Sequence, residues 1–305
     1  MAVNCICMSL VGISPNYLIL LFLLGTAGLG TASFHPPAFS TVVKAGTSAK
    51  GQAMGVFLAG GNTGFFLGPI MAGMLLTLYG LHGTLLLLPI GLMVALVLLR
   101  GRVTAGVPGT SLGTDSVQEP ANKGLVALLA TITACRSTTI TVAETFLPVY
   151  FVARGQPLFI ATALASVWRG IGVVGQLIGG SMSDKLGRSP VITSSLLIGG
   201  AIFLAFLVTT GLTSIIFLTL AGLVLYASWS VIVVMASEAA PRNVGAVSGF
   251  MLGLAVGIGG FAALGFGALA DRIGLQFALI AFTAFVFVGG ALSLAIPKLR
   301  KNRIL

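Results

Sequence analysis

Nine stretches of the 305-residue chain are apolar over roughly the 20 residues that a helix needs to cross a bilayer core of about 30 Å. They lie at 16–36, 51–79, 82–100, 124–147, 158–182, 190–210, 213–235, 246–270 and 275–296. Residues 1–13 are apolar too, but at about 1.5 Å per residue they reach only some 20 Å. The chain is therefore expected to start partway through a helix. Most gaps between the stretches are short. The exception, 102–123, is polar, rich in Gly, Ser, Thr and Pro, and has no apolar period, which predicts a flexible linker. The pattern predicts an all-α, polytopic membrane protein. It divides into an incomplete N-terminal helical bundle over 1–101, a cytoplasmic linker at 102–123 and a six-helix C-terminal bundle over 124–305.

Composition excludes other classes. Charged residues make up only 7% and hydrophobic ones 57%, with a mean hydropathy of +1.10. So few charges cannot cover a soluble surface, so a soluble enzyme and a disordered chain are both excluded. The net charge of +10 is no sign of nucleic acid, because the basic residues fall in short gaps between apolar runs. With the linker in the cytoplasm, twelve of the 16 basic residues lie on that side and only Arg154 and Arg272 lie outside, which fits insertion into the plasma membrane with the positive side inward. Cys5, Cys7 and Cys135 have no metal or redox spacing and read as buried thiols. There is no phosphate-cradling G-x-x-x-x-G-K-[ST] run, so no nucleotide or other cofactor and no metal is expected.

A repeat runs through the chain. Gly51, Gly55 and Gly73 recur as Gly245, Gly249 and Gly267, each at an offset of 194, as expected of two halves of six helices related by a parallel repeat. The same offset carries the loop at 183–188 to about position −10, so about two helices are expected to be missing from the start.

Several short runs carry a family resemblance. Gly179-Gly180-Ser181-Met182-Ser183-Asp184-Lys185-Leu186-Gly187-Arg188 resembles the G-x-x-x-D-[RK]-x-G-R loop of the major facilitator superfamily. Gly60-Gly61-Asn62-Thr63-Gly64-Phe65-Phe66-Leu67-Gly68-Pro69 resembles the Gly-Pro motif of that family's fifth helix, typical of antiporters. Phe34-His35-Pro36, Glu238-Ala239-Ala240-Pro241, Val247-Ser248-Gly249 and Gly259-Gly260 together resemble its fosmidomycin-resistance branch, although Pro37 stands where that branch usually has Glu. The resemblance implies the two-bundle fold of that family, lacking about the first two helices, with the spans as helices four to twelve. It also implies secondary active, proton-coupled efflux of a small, anionic or amphipathic drug-like compound by alternating access. The other readings are a transport-inactive membrane fragment and an importer of a small organic anion. An intramembrane enzyme lacks the clustered His, Asp and Glu it would need.

The residues themselves suggest roles. In the loop, Gly179, Gly180 and Gly187 allow close approach and a tight turn. Asp184 is placed to meet the positive N-terminus of the helix starting near Gly51, and Arg188 to pair with Glu238. Together with Lys185 these groups read either as a gate that breaks between states or as an ordinary solvated loop. Gly60, Gly61, Gly64, Gly68 and Gly73 bare one helix face, for a functional bend at Pro69 or for generic packing. Arg136 and Arg169 lie near mid-membrane, where charge must be paired or wet. Glu144, eight residues or about 12 Å from Arg136, is better placed to pair with Arg169 or a water. The three form a substrate and coupling cavity or a structural ion pair. Asn62 should face a partner or the cavity, and His35, at a helix end, is structural or titratable. Trp168, Trp229, Tyr150 and Tyr226 line the cavity or sit at interfaces.

Overall fold

A computed structural model describes residues 1–45, 50–100 and 121–297. They form ten α-helices: α1 Ala2–Leu10, α2 Tyr17–Ala45, α3 Lys50–Tyr79, α4 Leu87–Arg100, α5 Lys123–Ala153, α6 Leu158–Leu186, α7 Arg188–Val208, α8 Gly211–Ala239, α9 Val244–Ile273 and α10 Leu275–Ser293. No strand occurs among the described residues. Eight stretches among them are long and apolar enough to cross a membrane. The ninth expected span, 51–79, is α3. The linker expected at 102–123 lies outside the described residues except for its last three, as do Arg102 and the basic tail beyond position 297.

Two helices differ from expectation. The expected span 16–36 continues as α2 to Ala45, through both prolines. His35 therefore sits ten residues inside a helix instead of at its end. After the prolines the backbone stays engaged, with Thr41 donating its hydroxyl to the Pro37 carbonyl at 2.8 Å. In lipid no water stands ready to take up freed carbonyls, so continuing the helix is the cheaper course. The expected span 82–100 is divided into a 3-10 segment, Gly80–Leu86, and α4. Pro89 has no N–H with which to close a bond back to residue 85, so the α-helix proper begins around it, with proline in the first turn.

The repeat is visible in the helix boundaries. Shifted by 194, α2 spans 211–239, the bounds of α8, and α3 spans 244–273, the bounds of α9. Residues 2–13 land on 196–207, within α7. Packing is densest in the second half. There α8 lies against α6 and α7, and α5 against α9 and α10. The halves meet where α3 runs along α6 and α2 along α9.

Backbone contact between α6 and α8 depends on three glycines one turn apart. Gly172 faces the Tyr226 ring, Gly175 the Leu223 carbonyl and Gly179 the Ala227 carbonyl, and a Cβ at any of them would overlap its neighbour. A backbone carbonyl cannot swing aside as a flexible side chain can. Gly175→Val is expected to destabilise the protein by about 3 kcal/mol and lower its Tm in detergent by roughly 5 °C or more. A thermal melt followed by tryptophan fluorescence checks this, and an unchanged Tm would refute it.

Turns between these helices are short, and glycine makes them possible. Gly187 has φ +97° between α6 and α7, and Gly274 has φ +85° between α9 and α10, a region where a Cβ is strained. At the start of α5, the Asn122 side chain accepts from the Leu125 N–H at 3.0 Å, and its own N–H donates to the Ala239 carbonyl at 2.8 Å. The N-cap of α5 is thereby tied to the end of α8.

Candidate functional site: an ion cluster within the helices and a charge knot at their ends

Midway along the second half, α5, α6 and α8 bring one acid, two guanidinium groups and a phenol together. Arg169 donates from NH2 to Oε2 of Glu144 at 2.8 Å. The Tyr226 hydroxyl donates to the other carboxylate oxygen, Oε1, in a short hydrogen bond. Both carboxylate oxygens thus hold a donor, as a charge in a low-dielectric region requires.

Arg136 lies behind this pair and is 5% exposed. Its Nε donates to the Ser228 hydroxyl at 3.0 Å, and its NH2 reaches the Leu225 carbonyl at 3.5 Å. Its guanidinium also lies 5.4 Å from the Trp229 ring centroid and 5.8 Å from that of Tyr226. Trp168, fully buried, packs against Phe203 and, edge-on at 6.0 Å, against Tyr226. Tyr226 is therefore wedged between the two guanidinium environments. The side chain of Arg169 is 34% exposed and that of Glu144 17%, so the ion pair opens on one side. A charge held by a partner and an aromatic face is tolerated at membrane depth.

Glu144 and Arg169 thus meet directly, and Arg136 takes a separate place in the protein interior. The cluster's contacts include neither Asn62 nor His35. Its added members are Tyr226, Ser228, Trp229 and Phe65, whose ring centroid in α3 lies 5.4 Å from the Arg169 guanidinium carbon. Among these, the sequence singles out the phenol and the indole only as cavity or interface residues. Phe65 carries no signal of its own among 19 phenylalanines.

At one end of the helices, around the α6–α7 turn, a second group of charges gathers. Arg188 donates from NH1 to Asp184 Oδ1 at 2.6 Å and to the Ser183 hydroxyl at 2.7 Å, and from NH2 to Glu238 Oε1 at 3.1 Å. The other oxygen of Asp184 accepts from the backbone N–H of Gln52 at 2.9 Å. Gln52 lies in the first turn of α3, where N–H groups have no partner within the helix and the macrodipole is positive. One carboxylate thus joins the α6–α7 turn to α3 in the first half, and one guanidinium joins that turn to α8. Lys185 stays exposed, and Gly180 is buried.

The glycine face of α3 differs from expectation. Nothing lies within 4 Å of where a Cβ would stand at Gly60, Gly61, Gly64 or Gly68. Close backbone approach occurs one turn earlier, where a Cβ on Gly55 would stand 2.8 Å from the Gln176 carbonyl of α6. Two rods approach closely only near their crossing. Beyond it, contact passes to the Phe66 side chain, 3.3 Å from the Cβ position of Gly170. The bared strip faces open space beside the ion cluster. Pro69 lies within α3, which runs on through that position to Tyr79.

The sequence model of the Major Facilitator Superfamily matches residues 1–264. The chain belongs to this superfamily. It is a multi-pass membrane transporter of the plasma membrane, with a small-molecule substrate and the lipid bilayer as its surroundings. It is 28% identical over 305 residues to the uncharacterized MFS-type transporter YfnC of Bacillus subtilis, covering 95% of this chain and 73% of that one. It is 29% identical over 287 residues to the fosmidomycin resistance protein of Escherichia coli, covering 88% and 68%. In three dimensions it resembles the crystal structure of the transporter FucP in the outward conformation, with a TM-score of 0.75 and 15% identity over 98% of this chain and 81% of FucP. A second structure of the E. coli fucose:proton symporter FucP gives 0.74 and 14%, over 98% and 82%. At this identity the likeness concerns the fold.

Proposed function

We propose that the protein is a secondary active exporter that moves a small anionic or amphipathic compound outward against an inward flow of protons, by alternating access. The observation that carries this reading is the Glu144–Arg169–Tyr226 cluster. A carboxylate held at mid-membrane by exchangeable donors is the kind of group that takes and releases a proton once per cycle. Arg169, partly exposed beside it, offers a planar fork to a phosphonate or carboxylate. The likeness to the fosmidomycin resistance protein supports the outward direction and the drug-like class. The charge knot of Asp184, Arg188, Glu238 and the Gln52 N–H is the cytoplasmic gate in this reading, made in one tilt of the halves and broken in the other. Domain division at the linker, with 1–101 and 124–305 moving as units, belongs to the same proposal.

Everted membrane vesicles test it. With an acidified lumen they should accumulate fosmidomycin, and an uncoupler should abolish the accumulation. Accumulation indifferent to the proton gradient, or none at all, would refute proton-driven export. Arg169→Ala is expected to raise the KM for fosmidomycin about tenfold or more, the equivalent of one charge-assisted contact. An equal loss for a cationic probe, tetraphenylphosphonium, would point to a packing defect and remove Arg169 from anion binding.

A further inference from the structure

Where the first half meets the ion cluster, one aromatic ring makes the contact. Phe65 of α3 presents its ring to Arg169 at 5.4 Å, although the residue is 63% exposed. Its helix neighbours Gly61, Gly64 and Gly68 have open space where side chains would be. The ring therefore stands beside a strip of glycines on its own helix.

On α6, Arg169 lies 15 residues from Asp184, and on α3, Phe65 lies 13 residues from Gln52. At about 1.5 Å per residue both intervals measure roughly 20 Å. The helices run side by side in opposite directions, joined at one end by the Gln52–Asp184 hydrogen bond, in between by Gly55 against Gln176, and farther along by Phe65 over Arg169.

We propose that Phe65 is a positioning residue for Arg169. Its ring face holds the guanidinium where it can serve both Glu144 and an anionic substrate. The ring face attracts the cation from the side opposite a carboxylate and offers no competing negative charge. This rests on the export reading for its substrate but not for the contact itself.

Two measurements on the full-length chain test it. In detergent, thermal unfolding of wild type, Phe65→Leu, Arg169→Gln and the double variant forms a cycle. Phe65→Leu should lower the Tm of wild type and leave that of the R169Q protein unchanged. Additive effects would overturn the contact. In everted vesicles, Phe65→Leu should raise the KM for fosmidomycin about three- to tenfold with kcat within about twofold of wild type, and Phe65→Tyr, which keeps the ring face, should restore it. An unchanged KM in Phe65→Leu, or a tyrosine variant as impaired as the leucine one, would overturn the positioning role. If wild-type vesicles move no fosmidomycin, the export reading fails, and the cycle alone decides whether Phe65 holds Arg169.

Discussion

Replacing Glu144 with Gln should abolish uphill accumulation of fosmidomycin in everted vesicles while leaving a folded protein in the membrane. The amide keeps the size of the carboxyl: its single oxygen can accept from Arg169, and its NH2 can donate to the Tyr226 hydroxyl, which then accepts where it donated to the carboxylate. What it lacks is a proton to take up and release. Accumulation driven by the gradient should fall at least about 100-fold, since a coupled cycle has no alternative route through an amide. Exchange of labelled for unlabelled fosmidomycin across the same membrane should survive, because it needs only binding and tilting. Undiminished uphill accumulation in the variant would take Glu144 out of the coupling mechanism. Loss of exchange as well would show that the charge is needed to hold Arg169, which would otherwise be a mid-membrane cation without its partner.

Arg188→Gln is expected to have the next largest effect, at the cytoplasmic face. The guanidinium bridges Asp184 and Glu238 across two helix ends, and Asp184 in turn holds the N-terminus of α3. Removing it leaves two carboxylates without their shared cation. Each charge-assisted bond contributes about 1.5 kcal/mol, discounted here because both carboxylates are partly solvated. The combined loss, about 2 kcal/mol, shifts the balance between closed and open arrangements roughly 30-fold. A cysteine probe reads the change. In a Met54→Cys background the probe replaces a fully buried side chain near the start of α3, and the Asp184 contact to the Gln52 N–H is preserved. A membrane-impermeant maleimide applied to everted vesicles should label that cysteine roughly ten times faster when Arg188→Gln is added. Equal labelling rates would mean that the charge knot does not hold this end shut, and that its charges are ordinary surface pairs.

Legibility differs between the two charge groups for a physical reason. Two charges of the knot, Asp184 and Arg188, come from one short loop, so their spacing is written in nearly consecutive residues. Arg188 and Asp184 are four apart, and the pairing with Glu238 and the approach of Asp184 to the start of α3 follow from which ends share a side of the membrane. The mid-membrane cluster is assembled from three helices far apart in sequence. A charge inside an apolar span announces itself, so Arg136, Arg169 and Glu144 stand out. Their partners do not, because a tyrosine, a serine or a phenylalanine is ordinary in any span. Tyr226 joins Glu144 across 82 positions and Ser228 joins Arg136 across 92.

From the sequence alone came the lipid environment, the approximate limits of the spans and the 194-residue repeat. All of these follow from local matters: how many apolar residues lie in a row, where basic residues fall, and which glycines recur. Tertiary structure decided what depends on how helices cross. It set the pairing of Glu144 with Arg169 while Arg136 turns to Ser228, and it placed close backbone contact at Gly55, Gly175 and Gly179 with Gly60–Gly68 left open. It also carried α2 through two prolines that read as a helix end. A crossing point is fixed by the packing of two surfaces at once, and neither strand of sequence contains the other's shape.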